Sequence, residues 1–215
     1  MISRTILRLA GVAAIAAVMG SLSPVVAQAQ ERDVLSREMV LRDPDIPALG
    51  NPNGDLTIVE WFDYQCPYCK KIAPDLAKVV KEDGKIRLVH KDWPILGDAS
   101  KYAARLALAA RYQNKYPAAH HALISHTGRL TDAVTEEVLA KAGIDVAKAK
   151  SDLETRGKEI DAVISRNNEQ AEAFGFNGTP SYIVGTFRVP GGLSIEMFKR
   201  AIADAREAAK KATSK

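Results

Sequence analysis

The chain's only two cysteines, Cys66 and Cys69, are separated by two residues and stand where one hydrophobic period gives way to another. Upstream, Leu56-Thr57-Ile58-Val59-Glu60-Trp61-Phe62 has the β-branched and aromatic character of a buried strand. Downstream, Ile72, Leu76, Val79 and Val80 fall on one face of a helix. The spacing predicts a strand that hands over to a helix N-terminus, with Cys66 at or beside the N-cap and Pro67 at N1. Proline suits N1 because its missing N–H would have no partner there and its φ is already helical.

That junction has a chemical consequence. Unpaired backbone N–H groups and the positive end of the helix dipole stabilise an anion at the N-terminus. The Cys66 thiolate is therefore expected at a lower pH than that of a free cysteine, whose pKa is about 8.5. A fall of about 3 units would favour the thiolate over the thiol by roughly 4 kcal/mol. It would make a Cys66–Cys69 disulfide oxidising. Cys69, one turn into the helix, is expected to be more buried and to act as the resolving thiol. A structural disulfide fits poorly, because so small a loop constrains little unfolded-state entropy. A zinc site would need two further ligands. His120, His121 and His126 lie near one another, but their spacings miss the i,i+4 interval that sets two ligands on one helical face. They read as core or solvated residues, and no metal site is expected.

Across Phe62-Asp63-Tyr64-Gln65-Cys66-Pro67-Tyr68-Cys69-Lys70 the chain resembles the thioredoxin superfamily, in particular its secreted DsbA-like branch. Gly178-Thr179-Pro180 resembles that family's cis-proline loop, and Arg42-Asp43-Pro44-Asp45 with Leu49-Gly50-Asn51-Pro52 resembles the lead-in of the Com1/ScsC-like group. The resemblance implies an α/β chain: a thioredoxin fold with an inserted helical subdomain, and Cys66–Cys69 as its redox-active disulfide. It makes Glu60, six residues before Cys66, the buried acid that accepts the Cys69 proton. A cis Pro180 would set Thr179 beside the Cys66 sulfur, block metal capture and expose backbone for a substrate strand. Tyr68 and Phe176 would add apolar contact to that groove. No cofactor is implied.

The first 29 residues read as a signal peptide. Arg4 and Arg8 form a positive n-region, Leu9 to Met19 an apolar core, and Ala27-Gln28-Ala29 the cleavage site. The core is short for a membrane span, which needs about 20 residues. No cysteine follows the cleavage site, which argues against a lipoprotein. The expected location is the periplasm, where disulfides persist. Without the leader, 28 basic residues face 26 acidic ones, so nucleic acid is not an expected partner.

Residues 30–54 read as a polar lead-in punctuated by Pro44, Pro47 and Pro52, with Glu38-Met39-Val40-Leu41 as a short edge strand. It is too short for the oligomerisation stalk of some relatives, so a monomer is expected. Residues 55–97 and 175–215 would form the thioredoxin-fold domain, and 98–174 the helical insertion. Pro74 should kink the redox helix, which Asp83-Gly84 ends. A strand follows over Ile86–Lys91, and its Lys91 either approaches Glu60 or stays solvated. Burying an unpaired carboxylate at Glu60 would cost several kcal/mol. In the insertion, Tyr102, Leu106 and Ala110 make one stripe, Thr131 caps a helix, and a long segment from Asp145 is divided at Gly157. Gly185-Thr186 suits a II′ hairpin turn, and the last helix carries Phe198, Ile202, Ala205 and Ala209 on one face.

These expectations define a periplasmic thiol–disulfide oxidoreductase, acting foremost as a disulfide-forming oxidase on exported proteins and recharged by a DsbB-like membrane partner. One alternative is an isomerase or reductase kept reduced by a DsbD-like partner. Another, of a different class, is a copper(I)-binding protein, since a soft thiolate pair suits a soft ion.

Overall fold

The computed structural model describes residues 33–214; the expected leader and its cleavage site near Ala29 lie outside them. Its centre is β2 (Leu56–Phe62), buried along its whole length. β3 (Ile86–Asp92) runs parallel to it on one side, and β4 (Ser181–Val184) antiparallel on the other. β1 (Ala48–Gly50) and β5 (Phe187–Pro190) close the edges, giving the order β1-β3-β2-β4-β5 among the described residues. A central strand has both ladder edges paired and both faces covered, so a near-continuous apolar run is what β2 requires.

Alternation along the strands assigns the two faces. Ile58, Ile86 and Leu88 pack with Leu76, Val79, Phe198 and Ile202 of α2 (Pro67–Asp83) and α7 (Ile195–Thr213). Val59, Trp61 and Val89 face the other way, onto α3 (Asp98–Ala109) and α6 (Val146–Ala173). Between those two helices the chain makes a 3-10 turn (Ala110–Gln113), α4 (Tyr116–Ser125) and α5 (Asp132–Lys141). These elements enter the chain between β3 and β4, and their apolar residues join the core cluster that contains Trp61 and Phe62. The architecture is the expected thioredoxin fold with inserted helices.

Helix α2 begins as the sequence requires, with Cys66 as N-cap and Pro67 in the first turn. It carries Pro74 inside and ends at Gly84, whose φ of 68° is open to glycine at little cost. At Gly192 a Cβ would lie 2.2 Å from Ile72 Cδ1, so a side chain there would require that end of Ile72 to move.

Three expectations are corrected. Glu38–Leu41 is not an edge strand but most of a short helix, α1 (Arg37–Leu41), whose first turn Ser36 caps by accepting from Met39 N at 3.3 Å. The edge strand is Ala48–Gly50 instead. Gly157 does not divide the long helix: α6 runs unbroken from Val146 to Ala173, since packing against α3 outweighs the cost of about 1 kcal/mol for one interior glycine. Lys91 neither approaches Glu60 nor meets solvent. It is fully buried on the opposite face, donating to Met39 O at 2.9 Å and Asp43 Oδ2 at 3.3 Å. Arg166 of α6 clamps the same carboxylate, with Nε 2.8 Å from Oδ2 and Nη2 3.0 Å from Oδ1. The lead-in is thereby locked to the sheet and to α6.

Candidate active site

Cys66 is reached through a loop that Asp63 holds rigid. The Asp63 carbonyl accepts from Cys66 N at 3.0 Å. Its carboxylate accepts from Gln65 N at 2.7 Å, Ser100 Oγ at 2.7 Å and Leu96 N at 2.9 Å. Asp63 lay within the family motif without a role assigned to it; its partners come from two other segments, so no local pattern reveals them. Farther along, Lys70 Nζ donates to His126 O at 2.8 Å and Gly128 O at 3.2 Å, and Gln65 Oε1 accepts from Leu130 N at 2.9 Å. The redox helix is thus fastened to the loop between α4 and α5.

The two sulfurs, both free thiols in this structure, sit in opposite environments. Cys66 Sγ accepts from Cys69 N at 3.5 Å and contacts Thr179 O at 3.2 Å. The hydrogen bond with the Cys69 side chain, working against burial and helped by Thr179 and the backbone of Cys69 and Tyr68, lowers the Cys66 thiol to about 6. Cys69 is pushed far above the ordinary thiol value, first by that same bond, then by burial and by the negative charge of Glu60. Exposure follows the same order, 4% for Cys66 and 0% for Cys69.

Glu60 lies 3% exposed on β2. Tyr182 OH donates to its Oε1 at 3.1 Å, and His90 Nδ1 stands 2.9 Å from its Oε2. Neither of the latter two had been expected at the site. Tyr182 is the antiparallel partner of Glu60 on β4 and His90 its parallel partner on β3, so the ladder brings all three together.

Thr179-Pro180 is a cis peptide, half-buried at Thr179 and buried at Pro180. Tyr68 is 66% exposed beside Cys66, and Ile95 and Leu96, on the loop tied to Asp63, are exposed at 42% and 48%. Phe176, by contrast, is 4% exposed and packs on Trp61 at a ring distance of 5.3 Å. It supports the loop from behind and offers little surface, in contrast to Tyr68. His121 and His126 do not join His120 in a metal cluster; among the described residues, no group of three or more His, Cys, Asp or Glu side chains is placed to hold a metal ion.

Known proteins resemble this arrangement. A thioredoxin-like oxidoreductase from Silicibacter pomeroyi DSS-3 superposes with a TM-score of 0.77 at 40% identity, over 80% of this chain and 98% of that one. The thiol-disulfide exchange protein alpha-DsbA2 from Wolbachia pipientis gives 0.72 at 30% identity, over 76% and 89%. Among curated proteins, a Na(+)/H(+) antiporter NhaA 1 of Salinispora arenicola is 29% identical over 171 residues, covering 78% of this chain but 26% of the antiporter. The chain thus spans about a quarter of that relative's length, and among the described residues no helix is long and apolar enough to cross a membrane. A probable disulfide bond formation protein D of Bacillus anthracis is 26% identical, over 72% of this chain and 76% of its own. The DSBA-like thioredoxin domain matches residues 57–203, from the second residue of β2 to the middle of α7. The chain belongs to that family.

Proposed function

We propose that the chain exchanges disulfides with exported proteins, and that it does so chiefly as a disulfide-forming oxidase. The observation that carries this reading is the opposed state of two thiols one helical turn apart: Cys66 lowered to about 6, Cys69 raised far above its ordinary range. A stabilised Cys66 thiolate favours the dithiol, so the disulfide tends to pass to a substrate. A substrate thiolate attacks Cys66 Sγ, the Cys66–Cys69 bond breaks, and Cys69 leaves with its electron pair and takes a proton from Glu60. A second substrate thiolate then attacks the substrate sulfur of the mixed disulfide and releases Cys66. The substrate is oxidised by two electrons and the protein is reduced by two. In the reverse direction Cys69 gives its proton to Glu60 and resolves the mixed disulfide.

Thr179 and Pro180 would guide an extended substrate segment past Cys66, with Tyr68, Ile95 and Leu96 as its apolar rim. The periplasm is the proposed location, in keeping with the sequence of the leader and with a relative from Salmonella enterica serovar Typhimurium described as a periplasmic thioredoxin-like protein, 27% identical. A DsbB-like membrane partner would return the dithiol to the disulfide, and a monomer suffices for every step.

The test is the reduction potential, together with the redox state in which the protein is isolated from cells. A potential nearer −120 mV than −270 mV and a resting disulfide are expected. A resting dithiol with a low potential would assign a reductase or isomerase paired with a DsbD-like partner. Titration of the reduced protein with copper(I), compared with Cys69→Ala, separates the metal-binding alternative. Cys66→Ala should abolish exchange, while Cys69→Ala should accumulate mixed disulfides.

A further inference from the structure

On the sheet face beneath α2 and α4, Glu60 belongs to a larger buried assembly. Its Oε1 is occupied by Tyr182, and its Oε2 faces His90 Nδ1 at 2.9 Å. That nitrogen lies off the direction of a hydrogen bond, so it is buried with no aligned partner. The His90 ring stacks on His120, with centroids 4.0 Å apart and planes at 23°. Phe62 meets both rings edge-on, at 5.5 Å and 4.9 Å. Tyr64 OH lies 3.3 Å from His120 Nδ1. Both histidines line a cavity of about 870 Å³ that opens between α2, α4 and the β1 edge, with Ala77, Val80, Leu88 and Ile124 among its apolar walls.

A carboxylate sealed under Cys69 can take one proton, and turnover requires that proton to leave. Imidazole is suited to this, since one ring nitrogen can accept a proton while the other releases one. Two imidazoles stacked this closely cannot both be charged without strong repulsion. Burial, and then the charges of His90 and His121, hold His120 well below the ordinary histidine range. His120 is thereby kept neutral, and of the two rings it is His90 that stands against Glu60, with Nδ1 2.9 Å from Oε2.

We infer that His90 is the proton port of the site, passing protons between Glu60 and water in the cavity under α2, with His120 and Phe62 fixing its ring. The inference rests on the role proposed above for Glu60. When Cys69 attacks a mixed disulfide, its thiol proton goes to Glu60, the Cys66–Cys69 bond forms, and the substrate sulfur leaves with the electron pair of the broken bond. Glu60 then passes the proton to His90 Nδ1 as Nε2 releases one to water. In the oxidising direction each transfer reverses. The titratable groups around the Glu60–His90 pair are Tyr182 on β4, Cys69 on α2, Asp92 on β3, His120, His121 and Tyr116 on α4, and Tyr64 before α2, with Lys70 at the cavity rim. His90 acts through Glu60 and is a positioning residue.

The experiment follows resolution of a Cys66–glutathione mixed disulfide in the full chain by stopped flow, across pH. His90→Gln keeps a polar side chain but cannot titrate. It should leave Cys66 alkylation unchanged, slow resolution by about tenfold or more, and remove one limb of the pH profile. Asp92→Asn identifies any limb that belongs to Asp92, which burial raises to about 7. In His90→Ala, whose gap opens to the cavity, added imidazole should restore the rate in proportion to its concentration, whereas Glu60→Gln should gain nothing. Wild-type resolution and pH profile in His90→Gln would overturn the inference, as would failure of imidazole to restore His90→Ala or equal restoration of Glu60→Gln. A measurement on the wild type needs no variant: the nitrogen-15 signals of His90 should change tautomer or protonation between disulfide and dithiol, and unchanged signals overturn it. A wild type that exchanges no disulfides would overturn the proposed function instead, and a Glu60→Gln at full rate would remove the Glu60 role on which the inference rests.

Discussion

His90 and Lys91 follow one another on β3 and, by the alternation of a strand, face opposite sides of the sheet. Both are buried, at 5% and 0% exposure, and both stand beside an acid. On the Lys91 side the charges are saturated: the ammonium has a carbonyl and a carboxylate, and Arg166 occupies both oxygens of Asp43. Burial opposes ionisation of Asp43, but Arg166, Lys91 and the amide of Asp45 outweigh it and hold its carboxyl below the usual value. On the His90 side capacity is left open. His90 Nδ1 and Asp92 Oδ1 lack aligned partners. Asn167 Oδ1 and Gln170 Oε1 of α6 lack partners too, but those are amides, whereas imidazole and carboxylate are groups that can take up a proton. One face is fastened by its polar groups, and the other keeps room for a proton to move.

The largest effect should come from breaking the saturated side. Asp43→Ala leaves Lys91 buried without its carboxylate, and loss of one partner of a buried pair costs about 3–5 kcal/mol. Denaturant unfolding should show that loss, while exchange per folded molecule stays near wild type. If the activity per folded molecule fell in proportion, the two faces would not be separate in role. Glu60→Gln makes the reciprocal change. Exchange near neutral pH should slow by about a hundredfold, equivalent to roughly 2.7 kcal/mol, with the melting temperature changed far less than in Asp43→Ala. An unaltered pH–rate profile would remove Glu60 from the mechanism.

The smallest expected effect lies in the Cys66 thiolate. Its folded pKa is depressed to about 6, so the stabilisation is fully present above the unfolded thiol value and is lost as pH falls through 6. With an unfolded value of about 8.5, linkage gives about 1.4 kcal/mol at pH 7 and almost nothing at pH 4. The disulfide form has no thiolate, so the stability of the dithiol relative to the disulfide should rise by that amount between pH 4 and pH 7. Denaturant curves of both forms at the two pH values check this. A difference independent of pH would contradict the lowered Cys66.

The sequence disclosed what depends on neighbours along the chain. The N-cap at Cys66, Pro67 in the first turn, the stop at Gly84 and the caps at Thr131 and Asp145 all follow from local rules. Thr179 beside the sulfur came from the family motif, since nothing local joins residues 113 apart. Strand alternation also separates His90 from Lys91, yet it names no partners. Asp43 is 48 positions from Lys91, and His120 belongs to a helix whose docking no local pattern specifies. Phe176 looked like a surface aromatic because its glycine-flanked loop reads as exposed; the Trp61 ring beneath it draws it inward. At α1 the serine cap was the overlooked signal, and a short apolar run, Met39-Val40-Leu41, was given too much weight.

The contact between Cys66 and the Thr179 carbonyl also bears on biosynthesis. The two residues lie 113 positions apart, so at about 5–20 residues per second a ribosome takes roughly 6–23 s to supply the second after the first. Throughout that interval Cys66 can have its helix cap but not Thr179, whose side chain helps to lower its thiol. The growing chain therefore carries a less activated sulfur than the finished protein. Its reactivity is completed only once the cis-proline loop has joined the redox helix.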